Sequence, residues 1–98
     1  MLIILRGPPG YGKSSFGRRF FKEHQIVSTD NIRKIMFDDI NHMSRNDEVF
    51  HLRNQIVRQR LGAGLITVAD SMHLRPSCAN ELVEIADSLC SDYIIVSF

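Results

Sequence analysis

The sequence predicts an α/β fold, one parallel sheet of about four strands flanked by helices on both faces, and three observations predict it. A short apolar run, "LIIL" from Leu2 to Leu5, leads straight into a glycine-rich stretch and then a segment of helical period. Similar short runs recur as "QIVS", "LITVAD" and "DYIIVSF", each separated from the last by a helical pattern. The resulting order, β-α-β-α-α-β-α-β, is that of parallel strands joined by crossover helices, with ligands held beyond the carboxyl ends of the strands.

Each element has its own warrant. Leu2 to Leu5 is rich in branched residues, which suits a strand buried on both faces. "GPPGYGKSS" follows, and Gly7, four residues, Gly12, Lys13, Ser14 fits G-x-x-x-x-G-K-[ST], the phosphate-binding loop. Its glycines allow the chain to fold around an anion so that backbone N–H groups converge on it. Lys13 supplies a charge for the β and γ phosphates, and the Ser14 hydroxyl is offered to Mg²⁺. With Gly10, Tyr11 and Ser15 these residues form the expected nucleotide contacts; Tyr11 either leans on the surface or covers part of the nucleotide. The required order of strand, loop and helix makes the motif specific. The fold expected is therefore of the P-loop NTPase type.

In "SSFGRRFFKEH", Phe16, Phe20 and Phe21 recur at helical spacing while Arg18, Arg19 and Lys22 are left for water. Gln25 to Ser28 reads as the second strand. Thr29 or Asp30 caps the next helix, whose apolar side is Ile32, Ile35 and Met36. "DDINHMSRND" is polar and turn-like. From Asp47, the positions Val49, Phe50, Leu52, Ile56, Val57 and Leu61 mark a longer helix, ended by "GAG" from Gly62. "LITVAD" is the third strand. Pro76 opens a helix with Leu82, Ile85, Ala86 and Leu89 facing inwards, and "DYIIVSF" is the fourth strand.

Two acids stand at strand ends. Asp70 ends "LITVA", where a carboxylate beside a phosphate loop can hold Mg²⁺ directly or through water, and a plain turn cap is the competing reading. Ser71 follows it, so the second acid that motor ATPases use to orient water is missing. Asp30, just beyond the second strand, can accept a proton from an acceptor hydroxyl, and Arg33, one turn later, can clamp an acceptor phosphate. An N-cap with a surface arginine competes with that pair.

Composition bounds the rest. The 98 residues make a single domain, 1–98, and 44 % apolar content is ordinary for a globular chain. The apolar runs are far shorter than the ~20 residues that cross a bilayer, and "MLIIL" lacks a basic leader, which points to no membrane and a cytoplasmic protein. Cys78 and Cys90 fit no metal knuckle and read as reduced core thiols. His24, His42, His51 and His73 show no metal spacing, with His73 nearest the expected cleft. Eleven of twelve Lys and Arg lie at or before Arg60, and after Pro76 there are four acids and no Lys or Arg. That asymmetry fits a polyanionic ligand on one side, or merely solvated faces; Arg53, Arg58 and Arg60 divide in the same way between a basic stripe and a wet helix face.

Taken together, "GPPGYGKSSF", "VSTDNIRKIM", "RLGAGLITVADS" and "LVEIAD" resemble the polynucleotide 5′-hydroxyl kinase domain, especially the kinase modules of bacterial end-healing and ligation enzymes. The likeness runs through most of the chain in the same order. It implies ATP and Mg²⁺ as cofactors, bound by Lys13 and Ser14, and a 5′-hydroxyl end of RNA or DNA as acceptor. It also implies Asp30 as general base and Arg33 on the nucleic-acid phosphate beside the reacting end. Where the bacterial form tends to read Ala-Thr-Asn after the third-strand aspartate, this chain has Ser71, Met72 and His73. The family continues into an arginine-bearing lid, which implies a further domain or a partner beyond Phe98. Two other functions fit the same loop: a small-metabolite kinase, and a nucleotide-binding module without catalysis.

Overall fold

The first strand forms where branched residues alternate between two cores. In β1 (Leu2–Arg6), Leu2 and Ile4 face one side of the sheet and Ile3 and Leu5 the other, all four buried. The protein is described here by a computed structural model over residues 1–7, 12–38, 45–71 and 76–98, with side chains except at positions 14, 71 and 76–79. Gly10, Tyr11, His42 and His73, and the side chains of Ser14 and Cys78, lie outside the described residues.

The elements follow in the expected order: α1 (Lys13–Phe20), a 3₁₀ turn at Glu23–Gln25, β2 (Ile26–Ser28), α2 (Thr29–Phe37), α3 (Asn46–Gly62), β3 (Thr67–Ser71), α4 (Pro76–Ser88) and β4 (Tyr93–Ser97). All three strand pairings are parallel, in the spatial order β2-β3-β1-β4. One face of the sheet packs Leu2, Ile4, Val27 and Ala69 against Ile32 of α2, Val49, Val57 and Leu61 of α3, and Leu82, Ile85 and Ala86 of α4. The other face packs Ile3, Leu5 and Val68 against Phe16 and Phe21. Helices therefore cover both faces, as expected. Phe16 also meets Phe98 edge-on, 5.4 Å between centroids, which ties α1 to the segment after β4.

Several local expectations are corrected. Ser28, not Thr29 or Asp30, caps α2: its Oγ accepts from the Asn31 N–H at 3.5 Å, and helical dihedrals begin already at Thr29. Ile35 is 80 % exposed, because α2 is short and its buried stripe is completed by Thr29 and Arg33. Leu65 and Ile66 are exposed and precede β3, while Leu89 and Cys90 lie exposed past the end of α4, so Cys90 is no core thiol. Arg53 breaks the supposed basic stripe. It is fully buried on the inner side of α3, donating to Asn54 Oδ1 at 3.0 and 3.1 Å and lying 3.5 Å from Glu81 of α4.

Candidate active site

β1 and β3 are neighbours whose following helices leave in opposite directions, one towards β2 and the other towards β4. Such a switch point opens a crevice at the carboxyl ends of the strands. The register places Leu5, Asp70 and Ser28 at one level of three adjacent strands. Adjacent strands are about 4.8 Å apart, so the end of β1, Asp70 and the start of α2 come together without any loop having to reach.

The phosphate loop is anchored by its two outer glycines. Gly12 sits in the left-handed region at φ 84°, a turn that glycine makes at no steric cost. A Cβ at Gly7 would stand 2.9 Å from the Phe98 Cβ, so only glycine lets β1 pass there. α1 starts at Lys13, and its first intrahelical acceptor is the Gly12 carbonyl, which takes the Phe16 N–H at 2.8 Å. The N–H groups of Lys13, Ser14 and Ser15 thus have no place in the helix ladder and point out of its positive end.

Lys13 is 3 % exposed, and its Nζ donates to Gly7 O at 3.0 Å and pairs with Asp70 Oδ1 at 3.4 Å. Its ammonium is held between the Gly7 carbonyl and the strand-end acid. Anion-facing N–H groups, a fixed lysine and one carboxylate fit a phosphate chain with a divalent cation, since Mg²⁺ commonly takes one or two carboxylates together with phosphate oxygens. Among the described residues no group of three or more His, Cys, Asp or Glu gathers as a metal cluster. A cation here would thus share its ligands with the nucleotide.

Asp30 stands across from this loop. Both Asp30 and Asp70 line a cavity of about 520 Å³, together with Gly17, Arg18 and Phe21 of α1, Glu23 of the 3₁₀ turn, Ile26 and Ser28 of β2, and Asn31 of α2. The Asp30 side chain is 27 % exposed, and its Oδ1 accepts from Arg33 Nη1 at 3.2 Å. Arg33 is 1 % exposed: Nε and Nη2 donate to Asn46 Oδ1 at 3.3 and 2.9 Å, and the guanidinium lies 5.9 Å from the Phe50 ring centre. The predicted pair is therefore in contact, with Arg33 set behind Asp30 between α2 and α3.

Sequence reasoning missed the wall of this cavity. Its signal was Gly17, a glycine inside a helix, where it costs about 1 kcal/mol relative to alanine. A Cβ there would stand 3.4 Å from the Cδ1 atoms of Ile26 and Leu5, an ordinary contact distance, so α1 lies close to β1 and β2 at this point. That approach brings Arg18 and Phe21 to the cavity.

Phosphate loop, parallel sheet and strand-end acid define the P-loop class, and the architecture is that of P-loop kinases. Within it the chain belongs to a family of AAA domains, whose profile matches residues 2–98. Among curated proteins, no sequence match reaches significance. Among solved structures, the fold is similar to a chain in a Pnkp1/Rnl/Hen1 complex, with TM-score 0.84, 24 % identity and 99 % of this chain covered. A Pnkp1/Rnl/Hen1 RNA repair complex gives a TM-score of 0.79 at 24 % identity, again over 99 % of this chain. This chain spans about a third of those two, 34 % and 32 %. A putative kinase of Chloroflexus aurantiacus follows at TM-score 0.72 and 18 % identity, covering 98 % of this chain and 57 % of that one.

Proposed function

We propose that this chain is the core of an ATP-dependent kinase that transfers the γ-phosphate to a 5′-hydroxyl end of RNA or DNA. The observation that carries this reading is one cavity whose wall contains both Asp30 and Asp70, beside the buried lysine of the phosphate-loop motif. One acid is paired with the lysine that holds phosphate; the other faces the same space and has room for an acceptor.

In this reading ATP binds with its β and γ phosphates on the N–H groups at the start of α1 and on Lys13. Ser14 and Asp70 would hold Mg²⁺, which would supply charge neutralisation at the transferring group. Asp30 accepts the proton of the attacking 5′-oxygen as the new P–O bond forms and ADP departs. Arg33, packed behind Asp30, fixes the carboxylate's direction and binds the acceptor phosphate beside the reacting end. Transfer of this kind relies on placement and charge rather than on a covalent intermediate, which suits a site made of a loop, a lysine and two acids. A lid closing over ATP would come from a further domain or partner.

A 5′-hydroxyl oligonucleotide and labelled ATP, with the lid-bearing segment or partner present, test the reading: label should appear at the 5′ end. The cavity's volume also suits a small-metabolite acceptor, so labelling of small hydroxyl compounds with none of the oligonucleotide would move the assignment there. ATP binding without transfer to any acceptor would leave a non-catalytic nucleotide module.

A further inference from the structure

Arg33 carries its charge on a long stem, so the plane of its guanidinium has to be set by what surrounds it. The hydrogen bond from Nη1 to Asp30 Oδ1 fixes one point of that plane. Asn46, the first residue of α3, fixes an edge. Its Oδ1 accepts from both Nε and Nη2, at 3.3 and 2.9 Å, so this side of the planar fork is turned towards α3. The Phe50 ring, one turn farther along α3, has its centre 5.9 Å from the guanidinium carbon. With one edge on Asn46, Nη1 is directed at Asp30, and Asp30 lines the cavity.

The chemistry of residue 46 matters as much as its place. Asp30 and Arg33 are a pair of opposite charges. A second carboxylate on Arg33 would leave the group with a net negative charge beside an anionic acceptor. An amide oxygen holds the guanidinium and leaves its charge uncancelled. We infer that Asn46 is the positioning residue of the acceptor site: it turns Arg33 towards Asp30 and the acceptor phosphate, and as an amide it adds no negative charge there. This rests on the kinase reading above, in which Arg33 binds the phosphate beside the reacting end. The competing role is purely structural, because the same two hydrogen bonds tie α2 to α3 around a buried cation.

Asn46→Asp separates the two roles. The carboxylate has the amide's shape, accepts from the same two nitrogens, and suits the first turn of a helix, where Asp47 and Glu48 already stand. If Asn46 only ties the helices, this variant is stable and fully active. If Asn46 positions Arg33 for an anion, the variant is just as stable and its KM for ATP is unchanged, but its KM for the acceptor rises. Initial rates are measured with the lid-bearing segment or partner present, on two 5′-hydroxyl oligonucleotides. These are identical except that the first linkage is a phosphate in one and an uncharged methylphosphonate in the other. On the phosphate substrate the acceptor KM should rise about 10–100-fold, the range of one charged hydrogen bond. On the methylphosphonate substrate the rise should stay below about threefold. Asn46→Ala removes the oxygen altogether, so it should raise the acceptor KM on the phosphate substrate and also lower Tm. Stability and acceptor binding thus fall together in Asn46→Ala and separate in Asn46→Asp. An unchanged acceptor KM in Asn46→Asp, or an equal rise on both substrates, would reduce Asn46 to a tie between α2 and α3. Failure of the wild type to label either oligonucleotide would instead overturn the kinase reading, and this inference with it.

Discussion

Replacing Asp30 with asparagine separates a general base from a structural carboxylate, and the structure sets two magnitudes. Asp30→Asn keeps the side chain's shape and an Oδ1 that can accept from Arg33, but it removes the charge facing a guanidinium that is 1 % exposed. Losing one partner of a fully buried ion pair costs about 3–5 kcal/mol. Here Asp30 is 27 % exposed and Asn46 still binds Arg33 through two nitrogens, so the cost should fall to about 1–2 kcal/mol. For a chain of this size that corresponds to a Tm lower by roughly 5–15 °C. Turnover should suffer more. General-base catalysis contributes about 10²–10⁴-fold, equivalent to about 3–5 kcal/mol of barrier. ATP affinity should hardly change, because Lys13 is held by Gly7 O and Asp70. Single-turnover transfer, calorimetric ATP binding and thermal unfolding are measured on the same protein, at a temperature where both forms are folded. A wild-type transfer rate in the variant would refute the reasoning. Parallel collapse of rate and ATP affinity would refute it too, since the damage would then lie in the fold.

Lys13→Ala should abolish calorimetric ATP binding at concentrations that saturate the wild type, because it removes the buried ammonium between Gly7 O and Asp70; undiminished affinity would remove the phosphate loop from the mechanism. Asp70→Asn should shift the Mg²⁺ dependence of transfer to higher concentration while leaving maximal rate within about tenfold, and an unchanged magnesium titration would make Asp70 only the partner of Lys13. Gly7→Ala puts a methyl group 2.9 Å from the Phe98 Cβ, so it should lower stability by about 1–3 kcal/mol in denaturant melts and weaken ATP binding through displacement of the Gly7 carbonyl.

The parts legible in the sequence are those written in local chemistry. Leu2 to Leu5 forms a strand because branched residues fill both faces of a pleat, and the loop after it needs glycine at Gly12, whose left-handed turn is a local matter. The order of elements followed from periodicity, and the positions of Lys13 and Asp70 at a common crevice followed from that order. A pattern of apolar residues is not by itself a pattern of burial. Ile35 and Leu89 have helical spacing yet face water, because α2 and α4 each end before a second stripe finds a surface to cover.

Tertiary structure alone decided what the arginines do. An arginine on an amphipathic helix has the same local signature whether it meets water, a carboxylate or a phosphate, since its long stem reaches in any of those directions. Packing of α2 against α3 closed Arg33 behind Asp30, and packing of α3 against α4 buried Arg53 beside Glu81. The close approach of α1 to β2 made Arg18 part of a cavity wall. Sequence by itself determined the phosphate loop, because backbone dihedrals and spacing within a few residues build it. The acceptor side depends on where three helices and a sheet leave space, and that is a property of long-range packing.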